Sequence, residues 1–159
     1  MRKVHHRTDI DCRWRIQPVS EKSHAHVLAF LDAFHVGGTP DFGALAGYFA
    51  EDGSYQPLVP ATDRIIGRTA IAAALEKQYQ TYYECECEIH ASAAAGRFVF
   101  TERTDHVTLH AGDRKVGSRV CAVFEMNDAG EIASWREYWD TGDVMQQMGV
   151  TADALAAAM

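Results

Sequence analysis

Arg97-Phe98-Val99-Phe100-Thr101-Glu102-Arg103-Thr104-Asp105-His106-Val107-Thr108-Leu109 decides the fold class. Branched and aromatic residues alternate here with polar ones, which is the period of a β-strand and not of a helix. Every second side chain of a strand faces the same way, so Val99, Arg103, Asp105 and Val107 share one face. The same period starts after Tyr83 and predicts strands over roughly 84–93, 97–109, 114–126 and 130–141. Turn signals separate them at Ala95-Gly96, Ala111-Gly112-Asp113 and Asn127-Asp128-Ala129-Gly130. The last strand carries Trp135-Arg136-Glu137-Tyr138-Trp139-Asp140, where Glu137 shares a face with Trp135 and Trp139.

Upstream the period is helical. Val27, Leu28, Phe30, Leu31 and Phe34 mark a first helix, stopped by Gly37-Gly38-Thr39-Pro40. Asp41 is a fair N-cap for a short second helix through Tyr48-Phe49. Glu51-Asp52-Gly53 reads as a turn and residues 54–59 as a short strand, which Pro57 confines to an edge, an end or a bulge. Ile66-Gly67-Arg68-Thr69 launches a third helix, capped by Thr69 or the preceding loop, with Ile71, Leu75 and Tyr79 on one stripe. Three helices followed by a meander predict an α+β fold: a strongly curved, mostly antiparallel sheet wrapped round the helices as a cone. The expected organisation is an N-terminal arm over 1–22, one domain over 23–145 and a helical tail over 146–159, with Trp14 and Ile16 pinning the arm.

At 159 residues, 47% apolar and 23% charged, the chain has the make-up of a single globular domain. A net charge of −7 argues against nucleic acid and anionic membrane surfaces as partners. No run of 18 apolar residues is present, and the basic start leads into Thr8-Asp9-Ile10-Asp11 instead of an apolar signal region. The cytoplasm is the expected location.

The interior face of such a cone is the default place for a ligand. Its predicted residues are mainly odd-numbered: Tyr55, Cys85, Cys87, Ile89, Val99, Arg103, Asp105, Val107, Trp135, Glu137 and Trp139, with Pro57 and Leu58 beside them. The strand over 114–126 does not show which of its faces turns inward. Two acids and a guanidinium in an apolar setting can do acid–base chemistry; a solvated cross-strand ion pair is the bland alternative. Cys85 and Cys87 are spaced as buried side chains of a strand, not as a zinc knuckle. The eight histidines, His24, His26 and His106 among them, lack metalloprotease spacing, so no metal is expected.

The order helix–helix–strand–Gly-Arg-helix–meander is similar to the nuclear-transport-factor-2-like fold of ketosteroid isomerases and SnoaL-like polyketide cyclases. Within it, Tyr48-Phe49-Ala50-Glu51-Asp52, Tyr55-Gln56, Thr101-Glu102-Arg103-Thr104-Asp105 and Trp135-Arg136-Glu137-Tyr138-Trp139-Asp140 resemble limonene-1,2-epoxide hydrolases. The resemblance implies a cofactor-independent opening of an epoxide in one step by an acid–arginine–acid relay. It makes Asp105 the proton donor, Arg103 the bridge, Tyr55 a ligand of the attacking water, and Glu137 the base where the family has aspartate. The family's water-holding asparagine falls on Pro57. The resemblance further implies a homodimer through the outer sheet face, near Phe98 and Phe100.

The expected function is hydrolysis of a small apolar epoxide to a vicinal diol. To donate near neutral pH, Asp105 must rise about three units from ~3.9, roughly 4 kcal/mol. Three alternatives stand beside it. One is an epoxide-opening cyclase, in which a substrate hydroxyl replaces water. Another is an isomerase or polyketide cyclase acting on a polyketide-like substrate. The third is a non-catalytic binding module whose buried ions only fix the strands.

Overall fold

The sheet follows the chain's alternation almost strand for strand. The computed structural model describes residues 21–158; Cys12, Trp14, Ile16 and the proposed pinning of the arm lie outside them. The elements are α1 (Glu21–Phe34), α2 (Phe42–Ala46), β1 (Phe49–Gln56), β2 (Ile65–Ile66), α3 (Arg68–Gln78), β3 (Tyr82–Ala95), β4 (Phe98–Leu109), β5 (Lys115–Met126), β6 (Ile132–Trp139), α4 (Thr141–Met148) and α5 (Ala152–Ala158). The strands form one sheet in the order β2-β1-β6-β5-β4-β3. All pairs are antiparallel except β1 with β6. This is the α+β arrangement expected from the segregation of helices and strands.

The core lies between the concave face of the sheet and the helices. Val27, Phe30, Leu31 and Phe34 of α1, and Ile71 and Leu75 of α3, pack on Val99, Ala122, Phe124 and Trp135. On β5 the even-numbered residues Val116, Val120, Ala122, Phe124 and Met126 are buried, which settles the face the sequence left open. Asp41 caps α2, its carboxylate accepting from the Ala44 amide at 2.9 Å.

Several boundaries differ from expectation. Glu51-Asp52-Gly53 is no turn; it runs inside β1, which starts at Phe49 and ends at Gln56. A break in the β1–β6 register between Phe49 and Ser54 accommodates these polar residues. Pro57 falls just past the strand, where its missing amide costs no ladder bond. Gly67 caps α3 at φ 90°, a conformation that favours glycine, and Thr69 lies inside the helix. The stretch after residue 140 opens with α4, capped by the Asp140 carboxylate on the amides of Gly142 and Asp143. Ile89, expected inside, is 39% exposed because β3 is bulged between Ile89 and Ala91 and its far half leaves the core. Cys87 is only half-buried.

β1 crowds its neighbours at Gly53. A Cβ there would lie 2.9 Å from the carbonyl oxygens of both Ala50 and Ile132. Since the backbone itself would have to shift, Gly53→Ala is expected to cost about 1–3 kcal/mol. A lower urea midpoint with an unchanged slope is the measurement that checks it.

Candidate active site

Arg103 stands at the centre of the sheet's concave face and is 1% exposed. Its Nε donates to Asp105 Oδ1 at 2.8 Å and Oδ2 at 3.1 Å. Its Nη2 donates to Glu137 Oε1, and its Nη1 reaches Thr101 Oγ1 at 3.4 Å. The register explains why an arginine does this. Thr101 of β4 pairs with Ala122 of β5, and Ala122 pairs with Glu137 of β6. Two strand spacings come to about 10 Å, so only a long side chain crosses. Ala122, between them, is the small residue in its row.

Tyr55 completes the set from β1, where it pairs in register with Trp135. Its ring stacks on the Trp135 indole, with centroids 4.0 Å apart and planes at 17°. Its hydroxyl donates to Glu137 Oε2 at 3.0 Å. That hydroxyl in turn accepts from Gln78 Nε2 at 3.1 Å, and Tyr82 approaches Gln78 Oε1 at 3.5 Å. The sequence reading missed Gln78. Its signal was spacing: residue 78 follows Ile71 and Leu75 on the buried stripe of α3, a place for an apolar residue.

The two acids sit in opposed environments. Burial pushes Asp105 up, but the Arg103 guanidinium and His35 outweigh it and hold the carboxyl at about 2. Glu137 goes the other way: burial and the charge of Asp105 raise it against the pull of Arg103. Burial, and then Glu137, also hold the Tyr55 phenol well above its usual range, so it remains a donor. The expectation that Asp105 is itself raised toward neutrality is therefore corrected. A carboxyl bonded on both oxygens by a guanidinium is stabilised as the anion.

These groups line one end of a cavity of about 150 Å³. Pro57, Cys85, Val107, Trp135 and Trp139 line it too, as expected. Leu58, Cys87, Ile89 and Val99 do not. Leu58 and Val99 are buried in packing, while Cys87 and Ile89 face a separate hollow beside α1. Pro57 contributes its carbonyl, which accepts from the Trp139 indole at 2.8 Å. The far end is apolar, walled by Leu109, Val116, Val144, Met148 and Leu155. One trio of possible metal ligands, His35, Cys87 and Asp105, gathers within 4.8 Å among the described residues. Both oxygens of Asp105 are already engaged by Arg103, so the trio does not read as a metal centre.

Asp105 makes a pH-dependent contribution to stability. Its carboxyl is held below the ordinary 3.8, at about 2, so its contribution is present above about pH 4 and is lost as pH falls through about 2. At 1.36 kcal/mol per unit, Asp105→Asn is expected to cost about 2 kcal/mol near neutral pH. The gap from wild type should close across that acid window in denaturant titrations.

Comparison with known proteins identifies the family. Residues 21–149 match the family described as the limonene-1,2-epoxide hydrolase catalytic domain. Epoxide hydrolase EphG of Mycobacterium tuberculosis is 34% identical over 120 residues, covering 76% of this chain and 74% of that protein. A solved LEH-like epoxide hydrolase from M. tuberculosis superposes with a TM-score of 0.66 at 30% identity, covering 87% of this chain and 97% of that one. SalBIII, an epoxide hydrolase/cyclase-like enzyme of salinomycin pyran-ring formation, shares the fold at TM-score 0.66 and 22% identity, over 77% of this chain and 93% of its own. The chain belongs to the limonene-1,2-epoxide hydrolase family.

Proposed function

We propose that this protein is an epoxide hydrolase that adds water to a small apolar epoxide in one general acid–base step, without a cofactor. The observation that carries this is one buried guanidinium tying two carboxylates together at the polar end of an apolar cavity. Glu137 is the base. Its raised carboxyl is a stronger proton acceptor than an ordinary glutamate, and Tyr55 orients it. Water held by Tyr55 and Gln78 gives its proton to Glu137 as its oxygen attacks a ring carbon. Asp105 delivers a proton to the ring oxygen as the C–O bond breaks. Arg103 stays charged and balances both acids as the proton moves.

Pro57 stands where the family's asparagine would be, but the site does not lack an amide. Gln78 brings one to Tyr55 from α3, and its carbonyl oxygen has room to accept from water. This favours water over a substrate hydroxyl as the nucleophile. A cavity of about 150 Å³ is the size that takes up a benzene-sized molecule, so a single-ring epoxide is the expected substrate class.

Incubation with cyclohexene oxide and limonene oxide in ¹⁸O-water should give a diol carrying one labelled oxygen. Glu137→Gln should lower kcat by at least ~10²-fold. Unlabelled cyclic ether from a hydroxy-epoxide would instead indicate a cyclase, and an absence of any product from pH 5 to 9 would remove the hydrolase reading.

Gln78→Leu removes the amide while keeping the side chain's bulk. We expect kcat to fall about 10-fold or more, as befits a lost water-positioning contact, with the fold retained in circular dichroism. Full activity in this variant would return the water-holding role to another group.

A further inference from the structure

Asp105, as the acid of that reaction, lacks a source for its proton. It is held as the anion by a guanidinium that cannot give a proton up, and each turnover consumes one. Among the described residues, the cavity side offers only Arg103 as a donor to it. On its other side stands His35, the first residue past α1, with a side chain 3% exposed. The His35 Nδ1 lies 2.6 Å from the Leu31 carbonyl oxygen. A carbonyl only accepts, so Nδ1 carries hydrogen and the tautomer is fixed. Nε2 then points at Asp105 Oδ1, 3.5 Å away, and has no other hydrogen-bond partner among the described residues.

Two bare electron pairs do not face each other in a dry site, so a proton belongs between them. The charge count agrees. Arg103 with ionised Asp105 and Glu137 leaves one negative charge over, and a proton on the His35–Asp105 pair cancels it. Resting on the hydrolase reading above, we infer that His35 is the positioning residue that keeps and renews the proton on Asp105, its Nε2 and the Asp105 carboxyl sharing one proton.

The titratable and charged groups around this pair come from β3, β4, β6, α1 and the C-terminal cap of α3. Glu137 of β6, Tyr79 of that cap, and Tyr82 and Cys85 of β3 all feel the charge of Asp105 and favour a proton beside it. β4 supplies Asp105 and Arg103. β3 brings the Cys87 thiol, pushed up to about 12 by burial and by Asp105 and so protonated, within 4.8 Å. Glu86 of β3 and Asp32 of α1 line the hollow that His35 and Cys87 border, and their charges favour a proton there. Asp105 faces the cavity and His35 faces this hollow. During ring opening the shared proton passes to the epoxide oxygen while water's proton goes to Glu137. His35 and Asp105 then take a proton from solvent on the hollow side, and Glu137 releases one. The cycle balances with water as the only reagent consumed.

The test pairs kinetics with a readout that needs no turnover. His35→Gln retains a donor but cannot hold a second proton. It should lower kcat about 10²-fold, leave KM within about twofold, and flatten the alkaline fall of kcat that a shared proton predicts for wild type. Unchanged kcat, a loss confined to KM, or a loss with the pH profile intact would overturn the inference. In ¹⁵N-histidine-labelled protein, the His35 Nε2 resonance should lie between its bare and protonated positions and move to the bare one in Asp105→Asn. The same position in both proteins overturns the pairing. If wild type opens no epoxide, the hydrolase reading fails, while the resonance experiment still decides whether the proton is shared.

Discussion

A guanidinium that is 1% exposed cannot sit inside a sheet without fixed counter-charges. Leaving it unpaired costs several kcal/mol. Arg103 therefore constrains everything near it. Asp105 lies two residues along the same strand and so on the same face, which makes it an unavoidable neighbour. Glu137 must come from two strands away, and the register delivers it opposite Ala122. Whatever else the cavity does, β4, β5 and β6 must keep this alignment. A one-residue slip would turn Glu137 to the outside and leave the cation short of an anion.

The same constraint separates the two acids. Asp105 takes the guanidinium on both oxygens, while Glu137 takes it on one and a phenol on the other. Unequal shares of one positive charge, with His35 beside the more exposed Asp105, lower one carboxyl and leave its drier partner raised. Tyr55 can serve Glu137 because its ring is clamped on Trp135, which stacks on Phe124 and meets Phe30 edge-on. The aromatic core thus does more than exclude water: it sets the direction from which the phenol approaches.

How much of this was legible in the chain depended on whether a period or a contact carried the information. Period two exposed β3 to β6, and the shared face of Arg103 and Asp105 followed at once. Glu137 among tryptophans was visible as an acid out of place. The polar run Glu51-Asp52-Gly53 hid the first half of β1, because a bulged register shelters residues that read as a turn. Ile89 and Cys87 followed the period correctly but not the sheet, which leaves the core along the far half of β3. Gln78 and His35 were missed for a common reason. Each extends an apolar helical stripe by one turn, Gln78 after Ile71 and Leu75, His35 four residues after Leu31, and a polar residue at a helix end is ordinarily a solvated one.

Glu137, Pro57 and Gln78 are tied to one another through Tyr55 and Trp139. With β5 between the acids, a glutamate at 137 reaches one methylene further toward Arg103 than an aspartate, and it keeps Oε2 on Tyr55. Pro57 gives up a side-chain amide, yet its carbonyl ties down the Trp139 indole, which fixes the wall beside Glu137. Gln78 brings an amide from α3 to the far side of the same phenol. On the proposed hydrolase reading the three side chains must act together, since a displacement of the water by about 1 Å is enough to cost ~10²-fold in rate. Glu137, Tyr55 and Gln78 thus meet around one hydroxyl although β6, β1 and α3 supply them separately.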